Sequence, residues 1–145
     1  MSTILTVEEV QLFLRDRAEN NHLLSGTEFS PAVITFSMDL AVDSYNNMAP
    51  RSGETMTSFP SKAILLYGTL WHLFNGQSAL LARNTFEYND GGVQIPVEER
   101  FQLYQTLAGM YQASFFEAAK SLKLQLNLDS GWGGVSSEYS ILPIW

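Results

Sequence analysis

Two histidines, His22 and His72, no cysteine and fifteen acidic residues are what this 145-residue chain offers for a catalytic or metal-binding centre. Glu19-Asn-Asn-His22 matches one half of the Glu-x-x-His pattern of di-iron helical bundles. A second copy of the motif is needed, and the residue three before His72 is Thr69. Without thiolates a zinc site would rest on carboxylates and these two imidazoles, so the pattern implies no metal. The acidic pairs Glu8/Glu9 and Glu98/Glu99 sit where helix starts favour carboxylates, and Asp39/Asp43 lie one helical turn apart on a polar face. None of the three requires an acid/base role to explain it. Gly131-Trp-Gly-Gly134 has the glycine content of a phosphate-cradling loop but opens no helix carrying Lys-Ser or Lys-Thr, so it reads as a turn that places Trp132. His72, inside an apolar helix, reads as a satisfied core or interface histidine. These residues imply no enzyme, no catalytic set and no cofactor.

The composition points instead to contacts with protein. Charged residues are 16% of the chain, where about 25% is ordinary for a soluble domain. Their place is taken by 15 Ser, 9 Thr, 8 Asn and 7 Gln, which are easier to desolvate, and nine Phe, six Tyr, three Trp and five Met are available as anchors. A net charge of −7 from 8 basic and 15 acidic residues argues against a phosphate-binding surface. The start of the chain has no basic region before an apolar stretch, and no cysteine implies a disulfide framework, so an intracellular protein is expected. The longest apolar run, residues 63–74, is interrupted by Gly68, Thr69 and His72 and falls short of the roughly 20 residues a bilayer needs, so no membrane association is expected.

The elements that must position any surface follow from capping signals and period. Thr6-Val7-Glu8-Glu9 is a capping box that opens a short helix bearing Val7, Val10, Phe13 and Leu14. Ser30-Pro31 opens a second helix to about Asn47, with Ala32, Val33, Phe36, Leu40, Ala41 and Tyr45 as its expected apolar face. Residues 49–59 have no sustained period and are expected to form an extended, partner-contacting loop. A third, central helix begins after Pro60-Ser61 and is apolar on nearly every side; Gly68 and Gly76 within it are expected to mark close helix approaches. Residues 83–95 alternate about a turn and suggest a short β-hairpin or ordered loop. Pro96 opens the longest helix, through Phe101, Tyr104, Ala108, Tyr111, Phe115, Ala118 and Leu122 to about residue 126, with Lys120 and Lys123 suiting its negative end. The expected fold is therefore mainly α: a single domain, 1–145, formed by a bundle of about four helices with one long C-terminal helix. A glycine-rich and then aromatic segment, 128–145, is expected to form an extended C-terminal arm.

The order of these features resembles a family. The start Thr6-Val-Glu-Glu-Val-Gln-Leu-Phe-Leu14, the polar loop and the buried helix ending Leu80-Leu-Ala-Arg-Asn84 are followed by Tyr88-Asn-Asp-Gly-Gly-Val93. The long helix then leads to Asn127-Leu-Asp-Ser-Gly-Trp-Gly-Gly-Val-Ser-Ser-Glu-Tyr139. Over about residues 6 to 140 this is similar to the small helical head-to-tail connector, or neck, proteins of tailed bacteriophages. The resemblance implies a non-enzymatic virion protein, assembled in the host cytoplasm, that forms an oligomeric ring in the head-tail neck. It also implies attachment to the portal as an adaptor, contacts with other neck or tail proteins, and an extended DNA channel. DNA passes through such a ring without being specifically bound.

On this reading Glu54, Thr55, Met56, Thr57 and Phe59 of the loop, and Trp132, Tyr139, Ile141, Leu142, Ile144 and Trp145 of the arm, are the expected interface residues. Asp39, Asp43 and Glu87 are the expected lining of the channel, where negative charge would repel the DNA backbone. Two other classes fit the composition. One is an acidic helical immunity or inhibitor protein that binds a basic toxin, against which the low charge density argues. The other is a small ligand-binding helical domain with its pocket by Trp71 and His72.

Overall fold

The computed structural model describes residues 4–22, 25–84 and 97–132, with the side chains of residues 97, 98 and 132 outside the description. Four helices account for most of them: α1 (Val7–Leu14), α2 (Pro31–Asn47), α3 (Lys62–Arg83) and α4 (Val97–Trp132). The mainly helical fold with a long C-terminal helix is as expected. The expected hairpin over 83–95, Glu87 and the arm beyond residue 132 lie outside the described residues, apart from Arg83 and Asn84 at the end of α3.

The starts are set locally. The Thr6 hydroxyl accepts the Glu9 amide at 3.2 Å while the Glu9 carboxylate accepts the Thr6 amide at 2.9 Å, so two otherwise unpaired donors are satisfied reciprocally. Lys62, in the first turn of α3, pairs with the same carboxylate and ties α1 to α3. This ammonium, and then the Thr6 amide, hold the Glu9 pKa below its usual range. Ser30 caps α2 with Pro31 in its first turn, and Ser61 caps α3.

Helix α3 is the centre, packed against both α2 and α4. Phe74 meets Tyr104 and Tyr111, each at 5.8 Å, and Trp71 meets Phe115 at 5.8 Å. A β-carbon on Gly68 would fall 2.8 Å from both Ala41 and Phe115, so the missing side chain lets three helices converge. These pairings make α3 and α4 antiparallel. Gly76, expected to mark a second close approach, has nothing within 4 Å of where its Cβ would be: it faces outward.

Helix α4 buries the expected stripe, with Ala108 and Phe115 enclosed and Tyr104, Tyr111, Ala118 and Leu122 half-buried against the core. It runs six residues past the expected end, so residues 128–132 are helix rather than arm, and Trp132 ends α4. Asp129, Ser130 and Gly131 are weak helix formers that nonetheless continue the established ladder, because each added residue brings a hydrogen bond without a new nucleus.

The apolar face of α2 is corrected. Its buried residues are Ile34, Ser37, Met38, Ala41, Val42 and Tyr45, while Val33 and Phe36 are exposed at 48% and 63%. Two stripes on α2 have helical spacing, and α3 covers only one of them.

Candidate functional site

Helix α2 and the loop that follows it form a shallow notch of about 430 Å³. It is lined by Asp39, Val42, Asp43, Asn46, Thr55, Met56 and Thr57. Residues chosen from sequence for two different reasons, loop contacts and a negative lining, thus meet in one place.

The loop is compact rather than extended, and Asn46 explains why. Its side chain accepts from the Glu54 amide (2.8 Å) and the Ser52 hydroxyl (3.1 Å) and donates to the Glu54 carbonyl (2.8 Å). Ser58 donates to the Glu54 carboxylate at 2.7 Å, and its own amide bonds the Thr55 carbonyl. Each of these bonds gives a backbone or side-chain group of the loop a local partner, which folds the segment back on the end of α2. Thr55 and Thr57 are exposed, and Met56 and Glu54 are half-buried. Phe59, expected at the surface, is 2% exposed and packs 4.8 Å from Tyr45: it is a core residue, because the folded-back loop carries it under α2.

Asp39 and Asp43 are both exposed, one turn apart on α2, and among the described residues neither forms an ion pair. Val42 and Met56 give the notch an apolar floor beside them.

A lysine holds the first residues of the loop. Lys123 of α4 is 4% exposed, donates to the carbonyls of Met48 (2.8 Å) and Pro50 (2.7 Å) and to Ser52 Oγ (3.1 Å), and lies 4.4 Å from the Tyr45 ring centroid. It was expected to serve the end of its own helix. Its reach is instead to the end of α2, where free carbonyls and the negative dipole end receive it. Burial lowers its pKa, and the Glu54 carboxylate opposes that. Burial first, and then the same carboxylate, raise the Tyr45 pKa. The signal in sequence is register: Lys123 lies eight and four residues after Phe115 and Ala119, both fully buried, so it continues their row on α4.

Two further polar nodes hold the opposite end. Asp16, 5% exposed, accepts the amides of Glu28 (2.6 Å) and Phe29 (2.8 Å) and the Asn21 side chain (2.7 Å), which fixes the approach to α2. Tyr104 donates to the Glu28 carboxylate, and burial together with that carboxylate pushes the phenol pKa up to about 12. Sequence reading passed over both nodes, since each joins residues far apart along the chain.

His72 lies 3.1 Å from Ser44 Oγ, half-buried, and burial lowers its pKa, so the ring is neutral at pH 7. Trp71 packs on Phe115 and Phe116 rather than enclosing a polar pocket with His72. Among the described residues no group of three His, Asp or Glu side chains is placed to hold a metal ion, and no helix is long and apolar enough to cross a membrane.

Beyond the notch, apolar residues exposed among the described residues gather on two faces besides α1. One is the outer side of α2 with the end of α3: Val33, Phe36 and Leu80. The other runs along α4, where Leu103, Met110 and Leu124 stand at multiples of seven residues, with Glu117 at the intervening position, and Leu128 follows one turn on; these four are exposed by 52–60%. Trp132 stands at the tip of α4. Tyr139, Ile141, Leu142, Ile144 and Trp145 lie outside the described residues.

Comparison with protein-family models, with curated proteins and with solved structures returned no match.

Proposed function

We propose that the chain is a structural virion protein of a tailed phage, a non-enzymatic subunit of a ring in the head-tail neck that binds the portal and extends the DNA channel. The observation that carries the assembly part is the pair of unlike apolar faces on α2/α3 and on α4. Unlike faces that complete one another between copies give head-to-tail contacts, and such contacts close into a ring when the rotation per step permits. The last eight residues before Trp132 are exposed on every side, so this end of α4 is available to a neighbour. The phage assignment rests on the resemblance of the residue order. In this reading Asp39, Asp43 and Glu87 face the channel and keep the DNA backbone from adhering, and the neck and portal supply the remaining partners.

The test is the native mass of the purified chain by light scattering, with negative-stain imaging, alone and with a portal. A ring of many copies in either condition supports the proposal. A monomer that ignores the portal sinks it. The double variant Met110→Glu, Leu124→Glu should remain folded and stay monomeric, since both side chains are more than half exposed.

A second reading is kept by one observation: the two unpaired carboxylates of the notch suit a cationic partner. An acidic inhibitor of a basic toxin would lose its partner in the variant Asp39→Asn, Asp43→Asn, whereas ring assembly through α2/α3 and α4 would survive it.

A further inference from the structure

The outer side of α2 and α3 is a groove of about 520 Å³, lined by Phe29, Val33, Phe36, Leu40, Gly76 and Leu80 among others, with Arg83 as its one charged residue. His72 at its other end is neutral. We infer that this groove receives residues 139–145 of a second copy of the chain, Tyr-Ser-Ile-Leu-Pro-Ile-Trp, with Glu138 of that copy against Arg83. The inference rests on the ring reading above and names its contact.

Length and position select this occupant. His72, Gly76, Leu80 and Arg83 lie on the side of α3 opposite Phe74, which meets Tyr104 and Tyr111 of α4. The groove therefore faces away from α4. Since the two helices are antiparallel and Phe74 lies between Tyr104 and Tyr111, the groove's midpoint near Gly76 is level with about Gln105. Trp132 is then roughly 40 Å away along the α4 axis, and the nearer groove end, at His72, roughly 34 Å. Tyr139 is seven residues beyond Trp132 and reaches at most about 24 Å even fully extended. The apolar segment cannot be seated in the groove of its own copy; in a neighbour nothing forbids it.

The fit is chemical as well as geometric. Residues 133–145 carry one charged side chain, Glu138, and the groove carries one of opposite sign, Arg83. Arg83 has no ion-pair partner among the described residues. From His72 to Arg83 the groove is about 17 Å long, comparable with the roughly 20 Å spanned by seven extended residues. Pro143 bars helix and suits an extended strip, and Ile141, Leu142, Ile144 and Trp145 match an apolar floor.

The chain has no cysteine, so single cysteines report proximity cleanly. Full-length Gly76→Cys, where a side chain meets nothing within 4 Å, is mixed with full-length Ile141→Cys, the residue level with Gly76 when Glu138 lies against Arg83, under mild oxidation, and oligomeric state is read on the same samples. A disulfide between the two chains, about tenfold above a Gly109→Cys control and lost when Phe36→Asp is added, is expected. Rings that form without that disulfide overturn the groove contact and leave the ring reading intact. Absence of both rings and disulfide overturns both. A chain carrying both cysteines that closes on itself as a monomer overturns the inference in favour of the copy's own tail.

Discussion

Gly68 occupies a point where two neighbouring helices leave no room for a β-carbon. Gly68→Ala should lower stability by about 1–3 kcal/mol, read from urea or thermal unfolding, because the methyl must displace Ala41 or the Phe115 ring. The loss exceeds the gain of up to about 1 kcal/mol in helix propensity that alanine brings. Lys123→Met should cost about 2–4 kcal/mol, since the Met48 and Pro50 carbonyls lose their donor in a buried place. His72 gives a pH dependence whose sign follows from burial. The folded chain disfavours the imidazolium, so the unfolded chain binds the proton first as pH falls through 6.5. Stability therefore rises with pH between the lowered folded value and 6.5, and is lost on acidification across that window. His72→Gln should flatten the stability curve there, measured by urea midpoints at fixed ionic strength.

Among the elements, α1 depends on its cap more than the others do. It has eight residues and buries only Val10 fully, so Thr6→Ala should cost about 1 kcal/mol, and the loss should appear as fraying of α1. Helix α4 shows the opposite condition. Its first two thirds are held by the aromatic contacts with α3, and among the described residues its last turns have only their own backbone ladder. Amides of residues 124–131 should exchange fast in the isolated chain and become protected on assembly, which hydrogen exchange with mass readout resolves. Fast exchange that persists in an assembled ring would show that this end of α4 is not part of the contact.

At the scale of the whole molecule, the low charge density has a definite location. Exposed leucines, phenylalanines and methionine gather on α1, on the α2/α3 groove and on the length of α4. Leu12 and Phe13 of α1, exposed at 53% and 50%, continue this pattern near the start of the chain. Substituting an exposed member of these faces, such as Phe36→Asp, should change monomer stability by no more than about 0.5 kcal/mol while abolishing association. A mutant that unfolds would place Phe36 in the core; one that still assembles would remove the groove from the interface. The acidic notch lies elsewhere, so the two surfaces can be altered independently.

Sequence by itself determined the element list. Thr6/Glu9, Ser30-Pro31 and Ser61 act on backbone groups within four residues, and the three-four spacing of Tyr104, Ala108, Tyr111 and Phe115 defines a stripe whatever it meets. Gly68 was likewise legible as a close approach. Tertiary structure decided everything that depends on which neighbour covers a face. It chose Ile34, Met38 and Ala41 over Val33 and Phe36 on α2, carried Phe59 inside, left Gly76 open, and sent Lys123 to the end of another helix. It also brought Asp39 and Asp43 to the loop residues 55–57. Two apolar stripes on one helix are equivalent until a partner arrives, because burial energy belongs to the contact between surfaces and not to the residue alone.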